Sequence, residues 1–193
     1  MKTSLQVIST LLLATCLFPV YAHTGVEVTN GFYTGFVHPW SGVDHMLVMF
    51  LVGLYAAALK DRSAILLPFS FVVFMMVGAA SAHFGLSLPA VEKAIVVSLL
   101  FMGALLAFKP PMYRLVTLVL VSYFAMCHGY AHAHAIEISP GDEQFYLIGF
   151  VLSTGLLHGL GLFAGRLGQK HLICLRMLTA VFSIFVATLA LVY

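Results

Sequence analysis

Charge is scarce in this sequence. Only 8% of its 193 residues are Asp, Glu, Lys or Arg, against 62% hydrophobic. A soluble domain carries roughly 25% charged residues, so an ordinary water-solvated globular domain is excluded. The formal net charge is +2, too small for a nucleic-acid-binding surface. Cysteine is also sparse. Cys16, Cys127 and Cys174 cannot make a disulfide framework; Cys16 would leave with an N-terminal signal, and Cys127 and Cys174 read as small buried hydrophobes. There is no glycine-rich phosphate loop and no Walker motif, so no nucleotide partner and no ATP-driven mechanism of its own are expected. No linker or internal repeat marks a second domain.

What is present is a series of long apolar runs. Residues 1–22 read as a cleaved secretory signal. Lys2 supplies the positive start, Leu5 to Leu17 the apolar stretch, and Val20-Tyr21-Ala22 the cleavage site. Cleavage would leave His23 as the new N-terminus. Residues 23–193 then form one transmembrane domain with spans near 43–59, 63–83, 89–108, 112–133, 145–165 and 172–193. Each approaches the roughly 20 residues needed to cross about 30 Å of hydrocarbon. The runs are too long and too uniformly apolar for barrel strands. The expected fold is therefore an all-α polytopic membrane bundle of six helices. Residues 25–37 are too short and polar to span, and are expected to form an interfacial or re-entrant segment over the outer mouth.

The few charges orient the bundle. Lys60 and Arg62, Lys109 and Arg114, and Arg166, Lys170 and Arg176 fall in alternate loops or helix ends. Glu27, Glu92, Glu137, Asp142 and Glu143 fall at the other end, with Lys93 the only basic residue there. Basic loops face the cytoplasm, which agrees with a signal peptide that exports the N-terminus. Both termini are expected in the periplasm, with the protein multi-pass in the inner membrane of a Gram-negative-type cell.

Two polar constellations interrupt the apolar sequence: His38-Pro39-Trp40-Ser41-Gly42-Val43-Asp44-His45 and His128-Gly129-Tyr130-Ala131-His132. Ionisable groups at membrane depth are costly and mark function by default. Imidazole with carboxylate suits a first-row transition metal. His128 and His132, at i and i+4, share one helix face. Asp44 has a structural reading too, since Ser41 and Asp44 have capping-box spacing. Pro39 should hold His38 in extended backbone. The candidate metal residues are His38, Asp44, His45, His128 and His132, all at the outer ends of their spans. They are expected to form one shared site, with the first and fourth spans as neighbours. Further candidates are His23, His83, His134, Glu137 and the deep His158. The neutral imidazole is the liganding form, so protons compete with metal. The methionines read as flexible core packing, and the glycines around His158 as helix packing.

These motifs resemble the signature of the HupE/UreJ family. The resemblance runs from His38 through His45 and on through Met46-Leu47-Val48-Met49 to Val52-Gly53-Leu54-Tyr55-Ala56-Ala57. It recurs in His128-Gly129-Tyr130-Ala131-His132 and in Leu156-Leu157-His158. It implies a permease for Ni²⁺, sometimes Co²⁺, supplying nickel enzymes such as hydrogenase or urease. The metal is then cargo and not a prosthetic group. The chain departs from the family in one place. Ala133-His134-Ala135 stands where members often have Gly-x-Glu, and the next acid is Glu137. Zinc as the bound ion, an intramembrane zinc-dependent hydrolase and a metal-holding chaperone are the alternatives. Lipid is the other expected partner, and self-association as a homo-oligomer is left open.

Overall fold

A computed structural model describes residues 31–59, 62–108, 113–135, 141–167 and 172–192, with backbone alone for 134–135, 167, 172–176 and 189–192. The expected signal peptide, His23, Lys60, Lys109, Glu137 and Lys170 lie outside the described residues. Within them are seven helices and no strand: α1 Gly31–Ser41, α2 Val43–Ala56, α3 Ser63–His83, α4 Val91–Phe108, α5 Arg114–Ala135, α6 Glu143–Leu167 and α7 Leu172–Val192.

Helices α2 to α7 match the six expected spans in position. Four helices, α3 to α6, are long and apolar enough to cross a membrane. Helix α2 has 14 residues, a rise of about 21 Å, less than the roughly 30 Å of a hydrocarbon core. In α7 the apolar stretch of described side chains is Met177–Thr188.

The shortness of α2 has a structural explanation. Helices α1 and α2 run end to end along α6, parallel to it. Gly31 meets Asp142, Gly35 meets the Tyr146 carbonyl, Gly53 meets that of His158, and Gly165 meets Ala57. Together α1 and α2 form one broken helix nearly as long as α6. Pro39 lies inside α1, where it removes a backbone donor and strains the preceding turn. The helix stops two residues later, and Gly42 is extended at φ −109°, ψ 123°. Residues 31–37, expected as an interfacial or re-entrant segment, are the start of this broken helix. His38 is helical and not extended as Pro39 suggested. Pro39 cannot donate to the Gly35 carbonyl, yet α1 carries through it and ends only two residues later.

Three close pairings organise the bundle, each through small residues that let backbones approach. Gly53 lies against the carbonyl of His158 and Gly161 against that of Phe50, joining α2 to α6. Gly78 lies against the carbonyl of Met126 and Gly129 against that of Met75, joining α3 and α5 in parallel. Helices α4 and α7 are antiparallel, with Gly103 near Ala180 and the Ser183 hydroxyl donating to the Leu99 carbonyl at 2.7 Å. These directions are those of an up-and-down chain. They bring Arg62, Arg114 and Arg166 to one end of the bundle and Glu92, Asp142 and Glu143 to the other.

The exterior is apolar, unlike that of a water-soluble protein, and the interior holds some buried polar groups. Ile65, Phe69, Leu115, Phe163 and Val181 are each more than 60% exposed. His128, Ser98, Ser153 and Thr154 are fully buried. An apolar exterior of this kind suits lipid. Met49, Met75 and Met102 lie in the apolar core, as the packing reading of the methionines expected.

Candidate functional site

The break between α1 and α2 brings four imidazoles together. The His38 ring lies 4.4 Å from that of His132 between centroids, His132 lies 4.2 Å from His45, and His45 lies 4.9 Å from His128. His38 Nε2 and His132 Nδ1 share a hydrogen bond. Phe150 packs edge-on against His132 at 4.8 Å, and Tyr146 lies 6.2 Å from His38. The cluster is level with Phe150, seven residues into α6, so it lies about 10 Å inside the acidic end of the bundle.

Hydrogen bonds fix which ring nitrogens remain available. Asp44 Oδ1 accepts from His45 Nδ1 at 2.8 Å, which leaves the His45 Nε2 lone pair facing inward. Ser98 gives its single hydroxyl proton to the Ile95 carbonyl at 2.6 Å. Its oxygen therefore accepts from His128 Nε2, 3.0 Å away, and His128 Nδ1 is left as a bare acceptor. His45 Nε2, His128 Nδ1 and His132 Nε2 are all buried without a protein partner. Partners on the far nitrogen that fix ring orientation are the usual companions of histidine ligands.

The helix break itself is held in place. Trp40 Nε1 donates to Ser153 Oγ at 2.7 Å, tying the end of α1 to the middle of α6. The capping box read from Ser41 and Asp44 is not formed. Gly42 is the N-cap without a side-chain bond, and the Ser41 hydroxyl donates back to the His38 carbonyl at 2.6 Å. Ser41 belongs to α1, and its hydroxyl is spent on that helix's own backbone. The carboxylate of Asp44 is thereby free to hold His45, and it also suits the positive end of the α2 dipole.

A cluster of adjacent rings is not a closed cage. Among the described residues no three His, Cys, Asp or Glu side chains are already set around a common point as metal ligands. The arrangement provides inward-facing lone pairs that small ring rotations can recruit.

With this geometry in view, the chain's relatives are informative. Residues 11–191 match the family model described as HupE / UreJ protein. The chain belongs to the HupE/UreJ family. It is 34% identical over 160 residues to Protein HupE of Rhizobium leguminosarum bv. viciae, covering 81% of this chain and 82% of that one. No solved structure matches it.

For this HupE/UreJ member, the first-motif residues His38, Asp44 and His45 and the second-motif residues His128 and His132 converge as the sequence suggested. The convergence is through side chains. Helices α2 and α5 are not among the closely packed pairs, and their imidazoles bridge the gap. His83 ends α3 exposed, with its ring against Phe84. His134 lies in the last turn of α5. His158 is buried deeper along α6, with both ring nitrogens unpartnered.

Sequence reading missed Ser98, Trp40 paired with Ser153, and the aromatic wall of Phe71, Tyr146 and Phe150. Ser98 carried a signal, since it is the one hydroxyl within the apolar α4 sequence. The aromatic residues carried none, because Phe and Tyr are common throughout the spans. Of the glycines near His158, Gly161 and Gly165 make helix contacts, while Gly155 and Gly159 have open space beside them.

Proposed function

We propose that this protein is an inner-membrane permease for a divalent transition-metal cation, Ni²⁺ first and Co²⁺ next. The carrying observation is the set of three buried, unpartnered ring nitrogens on His45, His128 and His132, beside the His45–Asp44 pair. A buried polar nitrogen without a partner costs stability. A cation that arrives there recovers that cost and replaces part of its hydration shell. Imidazole nitrogen suits nickel and cobalt, and the HupE/UreJ resemblance supports nickel as the physiological cargo for enzymes such as hydrogenase or urease.

In this reading the cation enters from the acidic end, which faces the periplasm by the distribution of arginines. It passes Tyr146 and binds among His38, His132, His45 and His128. Asp44 supplies negative charge that offsets part of the cation's dehydration cost and opposes the positive end of α2. The site has neutral ligands apart from this one acid, which keeps it weak enough to release.

Radionickel uptake into proteoliposomes tests the reading. The purified full chain should accumulate nickel, and His128→Ala and His132→Ala should abolish accumulation while still inserting. Equal accumulation by the wild type and both variants would remove the basis for the proposal.

A further inference from the structure

Beyond the four-histidine cluster, His158 is, among the described residues, a buried imidazole without a hydrogen-bond partner. His158 is 4% exposed, and neither Nδ1 nor Nε2 has a partner. One turn before it on the same face of α6, Thr154 is fully buried with its hydroxyl equally unpartnered. A neutral imidazole always carries one N–H, so the fold buries both an unused donor and an unused acceptor here. Structural histidines normally spend these on a carbonyl or a hydroxyl.

The position of this pair is specific. His158 lies eight residues beyond Phe150 along α6, about 12 Å further toward the arginine-bearing end. Between it and the cluster stands Phe71, whose ring centroid is 6.1 Å from His128 and 5.1 Å from His158. His128 Nδ1 is the unpartnered nitrogen of the innermost histidine in the cluster.

Resting on the permease reading, we infer that His158, with Thr154, forms a second, inner station for the transported divalent cation, separated from the cluster by the Phe71 ring. The cation leaves His128 and binds the free lone pair of His158. The Thr154 hydroxyl and retained water complete a sparse shell. One imidazole binds far more weakly than a cluster, so the inward step is uphill in binding free energy and is driven by the cation gradient. Dividing the exit into two smaller steps lets the ion leave the tighter site. Thr154, half-way along α6 between Phe150 and His158, bridges the step.

His158→Leu separates this role from a structural one. Leucine is apolar and removes two unsatisfied buried nitrogens, so a merely structural His158 predicts unchanged uptake and equal or higher thermal stability. The station predicts equal or higher stability with uptake of nickel into proteoliposomes lowered about tenfold or more, while nickel affinity of the cluster in detergent stays within about twofold of wild type. Thr154→Val should lower uptake to a smaller extent. His158→Cys, a small side chain that packs readily, keeps the test open if leucine prevents folding. Its softer thiolate should restore uptake of Cd²⁺ relative to Ni²⁺.

Wild-type nickel uptake by His158→Leu, or unchanged Ni²⁺ and Cd²⁺ uptake by His158→Cys where the leucine variant does not fold, would overturn the station and leave the permease reading intact. Loss of cluster affinity in both would make His158 part of the first site and overturn it as a second one. A wild-type protein that takes up no nickel would overturn the permease reading, and the station with it.

Discussion

His128 Nε2 donates to Ser98 Oγ at 3.0 Å, and because the Ser98 hydroxyl is committed to the Ile95 carbonyl, this bond decides which His128 nitrogen keeps its lone pair. Ser98 thereby sets the tautomer of a histidine thirty residues away. Ser98→Ala should allow the proton to move to Nδ1 and should lower nickel affinity about 10–100-fold, the usual effect of removing such a partner. Ser98→Thr, which keeps the hydroxyl, should retain most of the affinity. Calorimetric titration of the detergent-solubilised protein checks both. Equal affinity in the wild type and the alanine variant would mean that His128 does not bind through Nδ1.

The rings of His45 and His132 lie 4.2 Å apart although they come from α2 and α5. Groups this close act on one another, so their substitutions should not add. Asp44→Ala, His45→Ala, His128→Ala and His132→Ala should each strongly impair nickel uptake. The doubles His45→Ala with His132→Ala and Asp44→Ala with His128→Ala should be little worse than the stronger single. Uptake measured at matched protein levels is the readout. Free energies that simply sum would indicate two separate sites.

The sequence reveals the helices well and the break poorly. Apolar runs of membrane length located α3 to α6 because in lipid the span must be hydrophobic and fully hydrogen-bonded within itself. The polar motifs identified His38, Asp44, His45, His128 and His132 for the same reason, since little else in a span is ionisable. The hidden part is how the motifs meet. Residues 31–37 read as interfacial because their run is short, but α1 needs no full span when α2 continues it along α6. His38 read as extended because of Pro39, yet α1 carries through the proline and ends only two residues later. Such features depend on neighbouring helices, above all on the glycine contacts with α6.

Those contacts give a stability prediction. A β-carbon at Gly129 would overlap the Met75 backbone, and one at Gly53 would overlap that of His158. Backbone cannot rotate away as a side-chain tip can, so the helices must separate. Gly53→Ala and Gly129→Ala should each destabilise the protein by about 1–3 kcal/mol, read as a lower melting temperature in detergent. Gly155→Ala and Gly159→Ala, with nothing nearby, should be neutral or slightly stabilising through helix propensity. A flat response across all four would rule out the α2–α6 and α3–α5 contacts as the source of cohesion.

Orientation is checked at the termini. Arg62, Arg114 and Arg166 mark the end expected in the cytoplasm. A reporter fused after Tyr193 should then be active in the periplasm, and sequencing of the purified protein should begin at His23. Cytoplasmic reporter activity would reverse the direction proposed for the cation. A sequence starting at Met1 would refute cleavage at Ala22.

Gly42 separates site from scaffold most cleanly. It lies between α1 and α2 in a conformation open to any residue, φ −109°, ψ 123°. A β-carbon there would come within 2.9 Å of Asp44 Oδ1 and 2.9 Å of His45 Nδ1. Unlike the backbone beside Gly53, these are the tips of side chains that can swing aside, so Gly42→Ala should change stability by no more than about 1 kcal/mol. The tips are also the hydrogen-bonded pair that aims His45 Nε2 inward. Displacing them should lower nickel affinity and uptake about tenfold in a protein that melts like the wild type. Gly53→Ala should do the reverse, lowering the melting temperature first. If Gly42→Ala left nickel affinity untouched, the Asp44–His45 pair would not be what orients the cation-binding nitrogen.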